Sequence, residues 1–175
     1  NATAYDLIDR MLENFERQVT PEIRQQFADH GLSFYEGIAL AAIVEREAVI
    51  DAERPAIAGV FYNRLRDGWP LSSCPTVQYA LGYRPDEETW WKRQLYFVDL
   101  EVDSPYNTYR IQGLPPAPIA SPGLRSIQAA ANPEETGYYF FMVDCTKGDG
   151  SHFFAQTEAE HLQNFEACGG VISSP

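Results

Sequence analysis

Apolar residues recur at helical spacing through the first third of the chain. Leu7, Ile8, Met11, Leu12 and Phe15 share one face, which predicts an amphipathic helix from Thr3 to about Val19. Thr20-Pro21 reads as an N-cap followed by proline at the first helical position. The short helix it opens runs to His30 and is stopped by Gly31. Ser33 and Glu36 form a capping box, so a third helix starts there and runs to about Val49. A fourth spans Asp51 to Asp67, with Pro55 in its first turn and Gly68 just past its end. Beyond Gly68 the periodicity fails. Trp69 to about Ser121 is rich in Pro, Tyr and turn residues and reads as one long ordered loop, stiff and extended over Gly113-Leu114-Pro115-Pro116-Ala117-Pro118. Pro122-Gly123 turns into a helix from Leu124 to Ala131. Tyr138 to Val143 and His152 to Ala155 read as the strands of a hairpin. Thr157 and Glu160 make another capping box, opening a final helix that Gly169-Gly170 stops. The predicted class is α+β: mostly helical, with a small β-hairpin and a long Pro/Tyr-rich loop.

The third helix carries the strongest chemical signal. Ala41-Ala42-Ile43-Val44-Glu45-Arg46-Glu47-Ala48 places carboxylates at the end of an otherwise apolar helix. Glu47 shares a face with Leu40, Ile43 and Val44, whereas Glu45 shares its face with Ile38, Ala41 and Ala42. Glu47 thus follows the more apolar stripe and lies at the helix C-terminus, where the dipole disfavours negative charge. Desolvation and dipole both raise its pKa, the property a general acid needs near neutral pH. Glu45 is the reserve candidate. The rival reading makes Glu47 a structural carboxylate paired with Arg46, Arg54 or Arg64, since ion pairs also perturb carboxylates.

Composition narrows the partners. The chain has 175 residues and a net charge of −12. That excess argues against nucleic acid, which needs clustered Lys and Arg, and against docking on anionic lipid by charge alone. No run of 18 apolar residues occurs, so no segment spans a membrane. Aromatics make up 13%, and Tyr and Trp suit a sugar-binding surface as well as a core. Cys74, Cys145 and Cys168 allow one disulfide plus a free thiol, or three unpaired thiols. They show no zinc spacing, and the scattered histidines form no metal cluster. No metal and no cofactor are expected.

Further candidates lie along the chain. Asn63-Arg64 orients a substrate or holds a carboxylate; a solvated or core-lining pair is the alternative. Tyr106-Asn107-Thr108-Tyr109 crowds hydroxyl and amide groups beside the rigid Pro-rich run, which suits hydrogen bonding to a carbohydrate or peptide; a core-anchored turn is the alternative. His152 stands at a strand start, and a lone histidine is more often structural than catalytic. No Gly-x-Ser-x-Gly elbow supports a serine nucleophile.

Several motifs, in this order and spacing, resemble the YceG-like family, the endolytic murein transglycosylases also called MltG. They are Ile43-Val44-Glu45-Arg46-Glu47, Val60-Phe61-Tyr62-Asn63-Arg64-Leu65, Pro75-Thr76-Val77-Gln78-Tyr79, Tyr106-Asn107-Thr108-Tyr109, Gly113-Leu114-Pro115-Pro116, Ile119-Ala120-Ser121-Pro122-Gly123 and Gly150-Ser151-His152-Phe153-Phe154. The match runs from about Phe34 to Phe165. The resemblance implies a lysozyme-like catalytic domain that cuts the β-1,4 bond between N-acetylmuramic acid and N-acetylglucosamine without water, leaving a 1,6-anhydro end. One Glu serves as acid and then base. In such enzymes that Glu follows an apolar helix and precedes Ser and then Ala, and Glu47-Ala48 approximates this place with Ala where Ser or Thr is usual. Asn63, Arg64, Thr76, Tyr79, Tyr106, Asn107, Thr108 and His152 are the substrate-binding residues it implies. Cys74 stands where the family usually has Asp. The resemblance also implies glycan strands as substrate, cell-wall synthases as partners, and a place on the extracytoplasmic face of the bacterial membrane. Residues 1–175 are expected to form a single catalytic domain, with a membrane anchor and LysM-like module removed upstream.

Overall fold

The computed structural model describes residues 2–170. Helix α1 (Ala4–Gln18) starts at Thr3, whose hydroxyl accepts from the Asp6 N–H while the Asp6 carboxylate reaches back to the Thr3 N–H. Its apolar stripe forms as the spacing predicts, but Leu7, Ile8, Met11 and Leu12 face solvent. Only Phe15 is covered, against Phe34. Helix α2 (Pro21–Asp29) buries Ile23 and Phe27.

Helix α3 (Phe34–Glu47) is the centre of the molecule. Ser33 and Glu36 cap it reciprocally, and it packs against α2, α4 (Arg54–Arg66), α5 (Cys74–Leu81) and α6 (Leu124–Ala131). Neighbours on so many sides explain why every residue from Ala39 to Val44 is buried and why its sequence is so apolar. Leu40, Ile43, Ile57 and Phe61 are fully buried in this core, each stabilising it by roughly 1.5–3 kcal/mol. The helix ends at Glu47, two residues short of Val49, because Ala48 turns to extended backbone with ψ 121°. A 3-10 turn over Asp51–Glu53 leads into α4.

The stretch from Trp69 to Ser121 is not one loop. It contains α5 and a 3-10 turn over Phe97–Glu101. Strands β1 (Phe140–Val143) and β2 (His152–Ala155) pair antiparallel, Phe141 opposite Phe154, so the first strand starts two residues later than Tyr138. Helix α7 (Glu158–Ala167) packs on both strands, and a disulfide joins Cys145 of the hairpin connection to Cys168, leaving Cys74 free. The α+β class holds. Among the described residues no helix is long and apolar enough to cross a membrane.

Candidate active site

The end of α3 delivers Glu47 into a polar network built by distant parts of the chain. Ser73, the residue before α5, donates its hydroxyl to Glu47 Oε1 at 2.6 Å. Ser73 is itself held by the 104–110 segment and by α5: its N–H donates to Thr108 Oγ1 at 3.0 Å, and Thr76 Oγ1 donates to its carbonyl at 2.7 Å. The Thr76 and Thr108 hydroxyls share a further bond at 2.7 Å. Ser72, just upstream, has φ +48°, a left-handed backbone that a non-glycine residue adopts only under constraint. Its N–H donates to the Thr108 carbonyl.

Glu47 keeps some solvent exposure as a residue, but its carboxyl is densely surrounded. Burial pushes its pKa up to about 7, against the opposing pull of the Ser73 hydroxyl and of the Arg64 and Arg46 charges. Arg64 is mostly buried, donating to the carbonyls of Tyr139 and Leu71. Tyr109 lies near both Glu47 and Arg64; burial raises its phenol, whose oxygen is 3.2 Å from Cys74 Sγ. Cys74 is exposed, so the network reaches the surface there. A carboxyl poised near neutrality, beside hydroxyls and guanidinium groups, can give up a proton and take one back.

The remaining predicted residues separate into groups. Arg64 stands beside Glu47 as described. Thr76 and Thr108 are fully buried, and their hydroxyls hold Ser73 rather than face a ligand. Asn107, also fully buried, donates to the carbonyls of Leu100 and Val102, fixing the loop that carries Thr108. Asn63 is buried too and pins the Thr136 and Tyr138 carbonyls. Tyr106 is half-buried and packs at a tilt against the exposed Tyr79 with ring centres 4.8 Å apart. His152 is not brought to Glu47. Its side chain is buried, with Nδ1 2.7 Å from Glu53 Oε2 and its ring among Phe141 and Phe154. Glu45 points elsewhere: its Oε2 accepts from Ser126 Oγ at 2.6 Å and the Gly123 N–H at 3.1 Å, and lies 3.6 Å from Arg54. The sequence reading missed Ser73. Its one local signal was its place before Cys74-Pro75, an N-cap followed by proline in the first helical turn.

Fold and site together define a mostly helical domain organised around a buried, proton-holding carboxyl. The sequence model of the YceG-like family matches residues 1–167. The chain belongs to the YceG-like family. It is 37% identical over 156 residues to a Bacillus subtilis (strain 168) protein named endolytic murein transglycosylase, a match covering 89% of this chain and 40% of that protein. A Streptococcus pneumoniae serotype 2 (strain D39) protein of the same name is 32% identical over 94% of this chain and 29% of its own length. The chain therefore spans well under half of these curated relatives. The crystal structure of a YceG-like protein from Listeria monocytogenes superposes with a TM-score of 0.76 at 34% identity, covering 93% of this chain and 49% of that one.

Proposed function

We propose that this chain is the catalytic region of a lytic transglycosylase that cleaves the β-1,4 bond between N-acetylmuramic acid and N-acetylglucosamine in peptidoglycan strands, with Glu47 as the only general acid and base. One observation carries the reading: burial pushes the Glu47 pKa up to about 7, and among the described residues the charges that act on it are those of Arg64 and Arg46, with no second carboxylate among them. Hydrolytic glycosidases of both stereochemical kinds use a carboxylate pair. A lone carboxyl fits an intramolecular route. Glu47 gives its proton to the glycosidic oxygen as the C1–O bond breaks and oxocarbenium character develops at C1. The C6 hydroxyl of the same muramic residue then attacks C1 and passes its proton to Glu47. The 1,6-anhydro ring closes, no water is consumed, and Glu47 ends protonated as it began. Arg64 and Ser73 steady the carboxylate present between the two transfers. The names of the relatives support the substrate class.

The location we infer is the extracytoplasmic side of the cell envelope. The Cys145–Cys168 disulfide supports it, since such bonds persist mainly outside the reducing cytosol.

Mass spectrometry of glycan strands incubated with the chain and with Glu47→Gln tests the activity. Anhydro-muramic ends from the parent and none from the variant are expected. Reducing ends would make the protein a hydrolase. Full activity in Glu47→Gln would remove Glu47 from the mechanism. Cleavage by neither protein would favour a binding module.

A further inference from the structure

The end of α5 and the segment that follows it expose several large aromatic rings. Trp90 is 66% exposed, and Tyr83 and Tyr79 are also open to solvent. Tyr79, Trp90 and Trp91 line a cavity of about 430 Å3. Clustered exposed rings of this kind mark binding surfaces, and the volume falls within the range of small-ligand sites, roughly 300–1,000 Å3.

The rings are held in place. Gln78 Nε2 donates to the Lys92 carbonyl at 2.8 Å, the Trp91 N–H donates to Thr89 Oγ1 at 3.0 Å, and an antiparallel bridge joins Arg84 to Thr89. Lys92 pairs with Asp99 at 2.8 Å, both side chains largely buried, and Asp99 also accepts from the Tyr96 N–H. A buried ion pair adds little net stability, but here it fixes the segment carrying both tryptophans. A pre-set aromatic surface loses less entropy on binding than a mobile one.

Neighbouring residues link the cleft to the surroundings of Glu47. Arg46, adjacent to Glu47, lies over the Trp91 ring at 4.0 Å. Tyr79 packs at a tilt against Tyr106, and it stands on α5 six residues beyond Ser73, roughly 9 Å along the helix. Among the described residues Arg46 has no carboxylate within 4 Å, in a chain of net charge −12. Aromatic slabs match the C–H faces of a pyranose, the Tyr79 phenol matches its hydroxyls, and an unpaired guanidinium matches a carboxyl substituent. An apolar peptide would leave the last two unmatched.

We propose that the cleft of Tyr79, Trp90 and Trp91 is a further subsite, which stacks a sugar ring of the glycan strand outside the bond being cut and offers Arg46 to its carboxyl-bearing substituent. The proposal rests on the reading of Glu47 as the glycan-cleaving acid.

Calorimetric titration of uncut strands into Glu47→Gln and into Glu47→Gln/Trp90→Ala tests it. The high exposure of Trp90 makes the second variant safe for folding. Removing the ring is expected to weaken strand binding about tenfold, and Trp90→Phe to restore most of it. Equal affinity with and without Trp90 would overturn the subsite and leave the cleft to a protein partner. Cleavage by the parent chain, followed separately, reports on the underlying reading. Parent cleavage with Trp90 indifferent would sink the subsite alone. Trp90-dependent binding without parent cleavage would sink the Glu47 reading and leave a saccharide site. Absence of both strand binding and cleavage would sink both.

Discussion

At the scale of single residues, Glu47 and Ser73 pull in opposite directions. Glu47 has a folded pKa of about 7 against the ordinary 4.5. A carboxyl whose pKa is raised on folding binds its proton more tightly in the folded state. Its stabilising contribution is whole below about pH 4.5 and is lost as the pH climbs through 7. Glu47→Gln should therefore match the parent's stability at pH 4 and exceed it at pH 8 by on the order of 2–3 kcal/mol. Denaturant unfolding at the two pH values checks this, and a variant that gains nothing at pH 8 would contradict a desolvated carboxyl. Ser73 donates to the ionised form and so lowers the Glu47 pKa. Ser73→Ala should raise it further and move the alkaline limb of the kcat/KM profile to higher pH. A lower rate with an unmoved limb would make Ser73 merely structural. The substitution is clean because Ser73, although it is the N-cap of α5, makes no side-chain capping bond; its hydroxyl is turned to Glu47 instead.

At the scale of elements, that diverted hydroxyl also explains what the sequence could not announce. The capping boxes at Ser33 and Thr157 were readable because each is a contact three residues long, and both formed. The placement of Glu47 on the apolar face of α3 was readable for the same reason: helical periodicity is local. Helix α5 was not. It is only Cys74–Leu81, it sits in a Pro/Tyr-rich stretch, and its N-cap serves a partner 26 residues away. Thr76, Asn107 and Thr108 were recognisable as a polar cluster, but only the fold shows that they bond to one another and to the backbone instead of facing outward. Motif α4 shows a similar division. Asn63 holds the 136–138 backbone directly over the helix, and the Glu134 N–H bonds the Pro55 carbonyl. A Cβ on Gly59 would stand 2.3 Å from the Glu134 carbonyl oxygen, which is backbone and cannot swing away. Gly59→Ala gains about 1 kcal/mol of helix propensity and loses more to overpacking. A net loss of about 2 kcal/mol is expected, read as a melting temperature lower by roughly 4–8 °C. An unchanged melting temperature would mean that the 134–138 segment does not press on α4.

At the scale of the whole molecule, the network around Glu47 and the clamp on the hairpin are separate devices. The network is assembled from α3, α5 and the 104–110 segment, all resting on the apolar core. The Cys145–Cys168 bond ties the hairpin connection to the end of α7 and closes a loop across 23 residues of sequence. Closing a loop of that size restricts the unfolded chain and stabilises by about 3 kcal/mol in the entropic account. Beyond the shared core, Arg64 links the two: it donates to the Tyr139 carbonyl at the root of the hairpin. Reduction should therefore lower the melting temperature by roughly 10 °C while glycan cleavage at 25 °C stays within about twofold of the oxidised protein. Thermal unfolding and a cleavage assay, each with and without reductant, check both halves. Cys74 is a free thiol in either condition, so its chemistry does not confound the comparison. A melting temperature indifferent to reductant would remove the disulfide, and with it the structural support for an oxidising compartment. Cleavage that collapses on reduction while the fold persists would instead make the hairpin part of the active site, with Arg64 as the link that carries its position to Glu47.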